Sequence, residues 1–327
     1  MIIGVECTAH TFGVGVVDNG KVLANVRDMF TTKSGGIVPM KAARHHREVS
    51  EELWYDALEK AKIKEEELEA IAFSNAPGLA PCLLAGMEFV KKKSKELGVP
   101  IIPVNHCIAH LEIGRSLGAK DPVLLYASGA NTQIIAYAGG RYRVFGETLD
   151  IGVGNFIDKV GRYFGLGFPA GPKLEKEALK SKEYTELPYS IKGMDVSFSG
   201  MQTKIVQLYD KAMDKEKAIS DLAFSMQETA FAMLVEAAER ALAHTGKKEL
   251  VLGGGVACNS RLQEMCRIMC RERGAKYFCP AKDLLVDNAA MIAYTGELMF
   301  NAGVRRDAKR IDILPRERTD KVDVVWR

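Results

Sequence analysis

An internal repeat constrains this chain more than any other feature. Residues 1–30 read as three short strands, at 2–7, 11–17 and 21–29, and residues 122–148 repeat the plan at 123–127, 132–138 and 141–147. A constant offset of 120 residues aligns Thr8 with Ser128, Gly20 with Gly140 and Lys21 with Arg141. In each set a tight turn joins the last two strands: Asp18-Asn19-Gly20 in one, Gly139-Gly140 in the other. Such residues accept the positive φ that two-residue hairpins need. The repeat continues. A strand at 69–74 and a helix near 82–97 have counterparts at 249–252 and 260–273. The helices stop at Gly98 and Gly274, where a C-terminal cap favours glycine, and a further strand follows each, at 101–104 and 276–279.

Two copies of strand, strand, strand, helix, strand, helix, strand, helix predict α/β architecture. The expected form is a duplicated actin-like ATPase fold, shared by actin, the Hsp70 ATPase domain and sugar kinases. In it two similar mixed-sheet domains face a central cleft, where ligands sit at the strand ends. The expected domains are 1–120 and 121–327. The second carries a helical insertion at about 150–245 and a charged, peripheral C-terminal arm from Arg305. The insertion includes a helix with the stripe Ile219, Leu222, Met226, Ala230, Met233, Ala237, Ala241, and the first half has a stripe at Val49, Leu53, Ala57, Ala61 that reads as core. A length of 327 residues suits two domains, and 27% charged with 47% hydrophobic residues excludes wholesale disorder and a polytopic membrane protein. A net charge of +3 is too mild to identify a nucleic-acid binder. The seven cysteines follow no disulfide or zinc spacing and point to the cytoplasm. The N-terminus lacks a basic region ahead of an apolar stretch, so no signal peptide is expected.

The sharpest chemical feature is Asn105-His106-Cys107-Ile108-Ala109-His110. Histidines at i and i+4 share one helix face, and two neutral imidazoles suit a transition metal. The duplication sets the loop 281–288, with the carboxylates Asp283 and Asp287, at the matching cleft edge, and two histidines with one carboxylate leave room for substrate. The bland alternatives are two ordinary histidines and an acid at a helix start. No glutamate lies between the histidines as in H-E-x-x-H, which counts against a zincin-type peptidase. The hairpin loops at Thr8 and at Ser128-Gly129-Ala130-Asn131-Thr132, and the run Gly253-Gly254-Gly255, are candidate phosphate loops. Ordinary turns account for the hairpin loops equally well. Asn259 can cap the following helix or bind ligand, while Asp158 and Glu175 are candidate acceptors for ribose hydroxyls or simply exposed acids. Neither a P-loop nor a Rossmann fingerprint is present. Basic residues at Lys33, Lys41, Arg44–Arg47, Lys91–Lys93 and in the tail read first as solvated faces.

Together these stretches resemble the TsaD family, which includes the archaeal and eukaryotic KEOPS-complex subunit once labelled a glycoprotease. The matching segments are 75–86 (NAPGLAPCLLAG), His106–His110, 128–133 (SGANTQ), 195–203 (DVSFSGMQT), 253–262 (GGGVACNSRL) and 287–296 (DNAAMIAYTG). Asn131, where bacterial members usually carry histidine, is similar to the archaeal branch. The resemblance implies a tRNA N6-adenosine threonylcarbamoyltransferase. It would move the group from threonylcarbamoyl-adenylate to the adenosine beside the anticodon of tRNAs reading codons that begin with A, releasing AMP. It implies one iron or zinc ion on His106, His110 and Asp287, with Tyr126 contributing in some states. It implies a nucleotide site at Tyr126, Ala127, Ser128, Gly129, Ala130, Asp158, Gly171, Glu175 and Asn259. The implied partners are tRNA, a small atypical kinase subunit and a small dimerising subunit. Alanine replaces the family's usual glycine at Ala76, Ala80, Ala130, Ala170 and Ala289. The competing functions are an ATP-binding scaffold that regulates a partner kinase and, on the old label, a metallopeptidase.

Overall fold

The computed structural model describes residues 1–32 and 37–327, so Lys33 of the basic cluster lies outside the described residues. The chain forms two compact units. Unit 1 comprises Met1–Gly118, Gly139–Tyr142 and Ala281–Arg327, and unit 2 comprises Ala119–Ala138 and Arg143–Pro280.

Unit 1 begins with β1 (Ile2–Glu6), β2 (Thr11–Asp18) and β3 (Lys21–Met29). Asn19 and Gly20 take φ of 50° and 76°, which lets the hairpin close in two residues. Then come α1 (Pro39–Ala61), β4 (Ala70–Ala76), α2 (Ala80–Leu97), β5 (Ile101–Asn105) and α3 (His106–Glu112). β1 pairs antiparallel with β2 and parallel with β4, in the sheet order β3-β2-β1-β4-β5. β1 is buried along its whole length, and its alternating side chains serve two layers. Ile3 and Val5 join Phe12, Phe73, Leu53, Trp54 and Phe89, so the α1 stripe is core. Ile2 belongs to a second cluster with Ala72, Val104 and Ala109, and period two places Glu6 on that same face.

Unit 2 repeats the plan with β6 (Val123–Ala127), β7 (Thr132–Ala138) and β8 (Arg141–Glu147). The long connection holds α4 (Val153–Tyr163), α5 (Gly171–Ala178), the small hairpin β9 (Ile191–Lys192) and β10 (Asp195–Val196), α6 (Ser199–Lys211) and α7 (Lys215–Thr245). Then come β11 (Glu249–Gly253), α8 (Ser260–Glu272) and β12 (Lys276–Phe278). β6 pairs antiparallel with β7 and parallel with β11, and the order β12-β11-β6-β7-β8 matches that of unit 1 strand for strand. α7 buries Leu222, Met226, Ala230, Met233, Ala237 and Ala241, leaving Ile219 half-buried. It holds the place before the fourth strand of its sheet that α1 holds in unit 1.

After unit 2 the chain returns to unit 1 through α9 (Lys282–Leu285) and α10 (Ala289–Asn301). A division at residue 120 assigns this return to the second half; in the structure it packs with the first. The physical reason is a fit of small residues. A Cβ added at Gly4 would lie 2.4 Å from Ala293 N, and one at Gly15 would lie 2.6 Å from Ala290 N. The glycines of β1 and β2 thus form a shallow seat for the alanine face of α10. Nor is the charged tail peripheral. Arg306 bridges to Ile101 at the sheet edge, and Ile311 is buried in the core beside Leu53 and Ile71. Among the described residues, no helix is long and apolar enough to cross a membrane.

Candidate metal centre and nucleotide loops

α3 starts where β5 ends. The side chain of Asn105 caps it, accepting from the N–H groups of Cys107 at 3.1 Å and Ile108 at 3.3 Å. This start leaves His106 and His110 one turn apart, with their rings edge to face at 4.8 Å between centroids. Both are buried, at 4% and 0% exposure. Asp287 precedes α10, but it is not the cap. Asn288 takes that role by accepting from Met291 N–H at 3.0 Å. Asp287 Oδ1 instead lies 3.3 Å from His106 Nε2 and 3.6 Å from His110 Nε2.

The three side chains offer ligand atoms that lie within 4.8 Å of one another. A tetrahedral ion with bonds of about 2.0–2.1 Å holds its ligands about 3.4 Å apart, so the spacing fits a first-row transition metal. Two imidazoles and a carboxylate also match the chemistry of iron or zinc. Burial, together with neighbouring His106, outweighs Asp287 and pushes the His110 imidazole below its usual range. Burial would raise the Asp287 carboxyl, but His106 and His110 beside it hold it well below the usual carboxylate range. The site therefore pairs a neutral imidazole with an ionised carboxylate, the protonation states that ligation requires. Cys107 is pushed up to about 11 by burial and remains a neutral thiol.

Sequence reasoning missed Glu6. It is fully buried, and its Oε2 lies 2.9 Å from His106 Nδ1. The contact fixes the ring so that Nε2 faces Asp287. Thr8 donates to Glu6 Oε1 from its backbone N at 2.8 Å and its Oγ1 at 2.5 Å. This loop thus orients the partner of His106. The available signal was one carboxylate inside an otherwise apolar strand.

The nucleotide candidates belong to unit 2, and hydrogen bonds link them. Gly154 and Asn155 donate from their backbone N to the carbonyls of Ser128 at 3.0 Å and Gly129 at 2.9 Å, so the β6–β7 loop rests on the start of α4. A Cβ at Gly152 would lie 2.4 Å from Ala130 O, and one at Gly254 would lie 2.3 Å from Ala127 O. Here glycine lets backbone approach backbone, and Gly254 also has a φ of +90°. Asp158 Oδ1 accepts from Ala170 N at 2.8 Å, beside Gly171. Glu175 Oε1 accepts from Ser260 N at 2.8 Å and from its Oγ at 2.6 Å. Asn259 caps α8, accepting from Arg261 N at 2.8 Å, and its amide donates to Gln227 Oε1 at 2.9 Å. Tyr126 is a buried residue of β6, opposite Gly253 in the parallel pair. Of the basic cluster, His46 is buried against Phe12, Arg44 pairs with Glu48 and Arg47 with Glu88.

Comparison with known proteins gives a consistent picture. The family model described as "TsaD: tRNA N6-adenosine threonylcarbamoyltransferase" matches residues 21–294. A tRNA N6-adenosine threonylcarbamoyltransferase of Thermococcus kodakarensis is 54% identical over 324 residues, covering 99% of each chain. A probable bifunctional tRNA threonylcarbamoyladenosine biosynthesis protein of Methanosarcina mazei is 49% identical over 99% of this chain, which spans 59% of that longer protein. Among solved structures, HypF of T. kodakarensis superposes with a TM-score of 0.64 at 15% identity, over 95% of this chain and 48% of that one. A 2-hydroxyglutaryl-CoA dehydratase component A of Acidaminococcus fermentans gives 0.52 at 15% identity, over 90% and 97%. These two likenesses concern the fold, which is of the actin-like ATPase kind.

Proposed function

The chain belongs to the TsaD family of tRNA N6-adenosine threonylcarbamoyltransferases, and from that premise we propose how its residues serve the reaction. The activity is transfer of a threonylcarbamoyl group to N6 of an adenosine in tRNA. The observation that carries the proposed mechanism is the cluster of buried His106 and His110 with half-buried Asp287, and Glu6 behind it.

The donor is threonylcarbamoyl-adenylate, a mixed anhydride, and the acceptor is the adenosine beside the anticodon of tRNAs reading codons that begin with A. The amine nitrogen attacks the carbamoyl carbon, the bond from that carbon to the phosphate oxygen breaks, AMP leaves with the electron pair, and the nitrogen releases one proton to solvent. An activated donor needs no covalent nucleophile, in keeping with the neutral thiol of Cys107. His106, His110 and Asp287 would hold one iron or zinc ion, which when bound would supply a Lewis acid for the carbamoyl carbonyl. Glu6 keeps His106 Nε2 aimed at that position. In unit 2, residues 126–130 with Asp158, Gly171, Glu175 and Asn259 bind the adenylate. The loop at Gly253–Gly255 adds backbone donors for its phosphate.

The protein works in the cytoplasm beside a small atypical kinase subunit and a small dimerising subunit, as a KEOPS-type complex. The longer, bifunctional relative supports a neighbouring module. The test is reconstitution with those subunits, threonylcarbamoyl-adenylate and tRNA, read by mass spectrometry of the released nucleosides. His106→Ala with His110→Ala is expected to lower the modified adenosine at least 100-fold. An unchanged yield removes the metal from the mechanism.

A further inference from the structure

Glu112 closes α3 two residues beyond His110 and is fully buried. A buried carboxylate needs partners, and two of its partners come from the far end of the sequence. Oε1 accepts from Trp326 Nε1 and from Arg327 Nε, each at 3.2 Å. Oε2 accepts from Arg115 Nη1 at 3.0 Å. Arg327 also donates to the Tyr142 hydroxyl at 3.1 Å and lies over that ring, while Trp326 packs on the apolar cluster that includes Ala109 and Ile113.

The same segment holds the other end of α3. The amide of Asn105, whose oxygen caps the helix, donates to Glu317 Oε2 at 3.0 Å. The buried Thr319 hydrogen-bonds the Cys107 side chain. Further back, Leu314 N donates to Asn75 O at 2.9 Å, and Gly78 N donates to Pro315 O at 3.2 Å, pinning the segment to the end of β4. A helix of seven residues is too short to fix its own direction, so outside contacts must set it.

We propose that residues 312–327 are a brace for α3, and that Glu112, Trp326 and Arg327 are positioning residues for the metal centre. The inference rests on the metal reading above. The brace ties the start and finish of α3 to one segment, so the two imidazoles keep their common aim. A merely structural tail would contribute to the stability of unit 1 without favouring metal affinity.

The test uses the full chain and Co²⁺ as probe, read by its visible absorption and by competition with a chelator. Trp326→Ala with Arg327→Ala is expected to weaken Co²⁺ binding about 10- to 100-fold, the range for outer-shell partners of metal ligands. Amide hydrogen exchange is expected to quicken across residues 106–112, with far-ultraviolet dichroism unchanged. Trp326→Phe keeps the packing and loses one donor, and is expected to give a smaller loss. It carries the test together with Glu112→Gln if the double variant does not fold. Co²⁺ affinity within threefold of wild type in the folded variants overturns the brace and leaves the metal reading standing. If wild type binds no more Co²⁺ than His106→Ala with His110→Ala does, the metal reading falls and the brace falls with it.

Discussion

Glu6 decides what His106 can do. Its oxygen, 2.9 Å from Nδ1, commits that nitrogen and frees Nε2 for the centre. Glu6→Gln preserves shape but removes the charge, and metal affinity by chelator competition is expected to fall about tenfold or more. His46 gives a pH effect whose sign can be worked out. Burial, reinforced by adjacent His45, lowers its imidazole from 6.5 to about 4. As pH falls below 6.5, the unfolded chain takes the proton first, and stability drains away until about pH 4. The loss is about 3 kcal/mol in total. His46→Phe is expected to flatten that part of a denaturation-versus-pH curve. The alanines that replace the family's glycine are not strained. Among the described non-glycine residues only Asn19 and Lys62 have positive φ, so Ala76, Ala80, Ala130, Ala170 and Ala289 sit in ordinary backbone. His106 and His110 were legible as a pair because their i, i+4 spacing puts them on one helix face, whereas Asp287 entered through the family resemblance. Glu6 was not, because a strand buried on both faces hides which neighbour each side chain meets.

The elements follow from local pattern more readily than their packing partners do. Hairpins at Asn19-Gly20 and Gly139-Gly140, the helix ends at Gly98 and Gly274, and the shared strand order were all readable, because turns and caps depend on a few adjacent residues. The seat of α10 was not readable. It joins Gly4 and Gly15 to Ala290 and Ala293, and small residues far apart in sequence show no mutual preference until they meet. Gly4→Ala is expected to destabilise the protein by about 1–3 kcal/mol, since backbone must move to admit the methyl group. Gly200→Ala in α6 is the control. Nothing lies within 4 Å of its added Cβ, and a gain of up to about 1 kcal/mol is expected. Denaturant midpoints with unchanged slopes check both.

On the scale of the molecule, the candidate centres fall in different units. The metal cluster belongs to unit 1, and Asp158, Glu175 and Asn259 belong to unit 2. Glu175→Gln is therefore expected to weaken AMP binding severalfold with Co²⁺ affinity unchanged, and His106→Ala to do the reverse. Calorimetric titration of each variant with each ligand checks the pairing, and a variant that loses both ligands overturns it. The return of Ala281–Arg327 to unit 1 also has a consequence for synthesis. The face of the first sheet that carries Ile2, Val17, Ala72 and Val104 meets α10 only after residues 119–280 have been made. At about 5–20 residues per second, that delay is roughly 10–30 s on the ribosome. During it the nascent chain presents an apolar sheet face without its α10 cover and two of the three metal ligands. An ion held by all three ligands must then be loaded after Asp287 has emerged, long after His106 and His110 have been made.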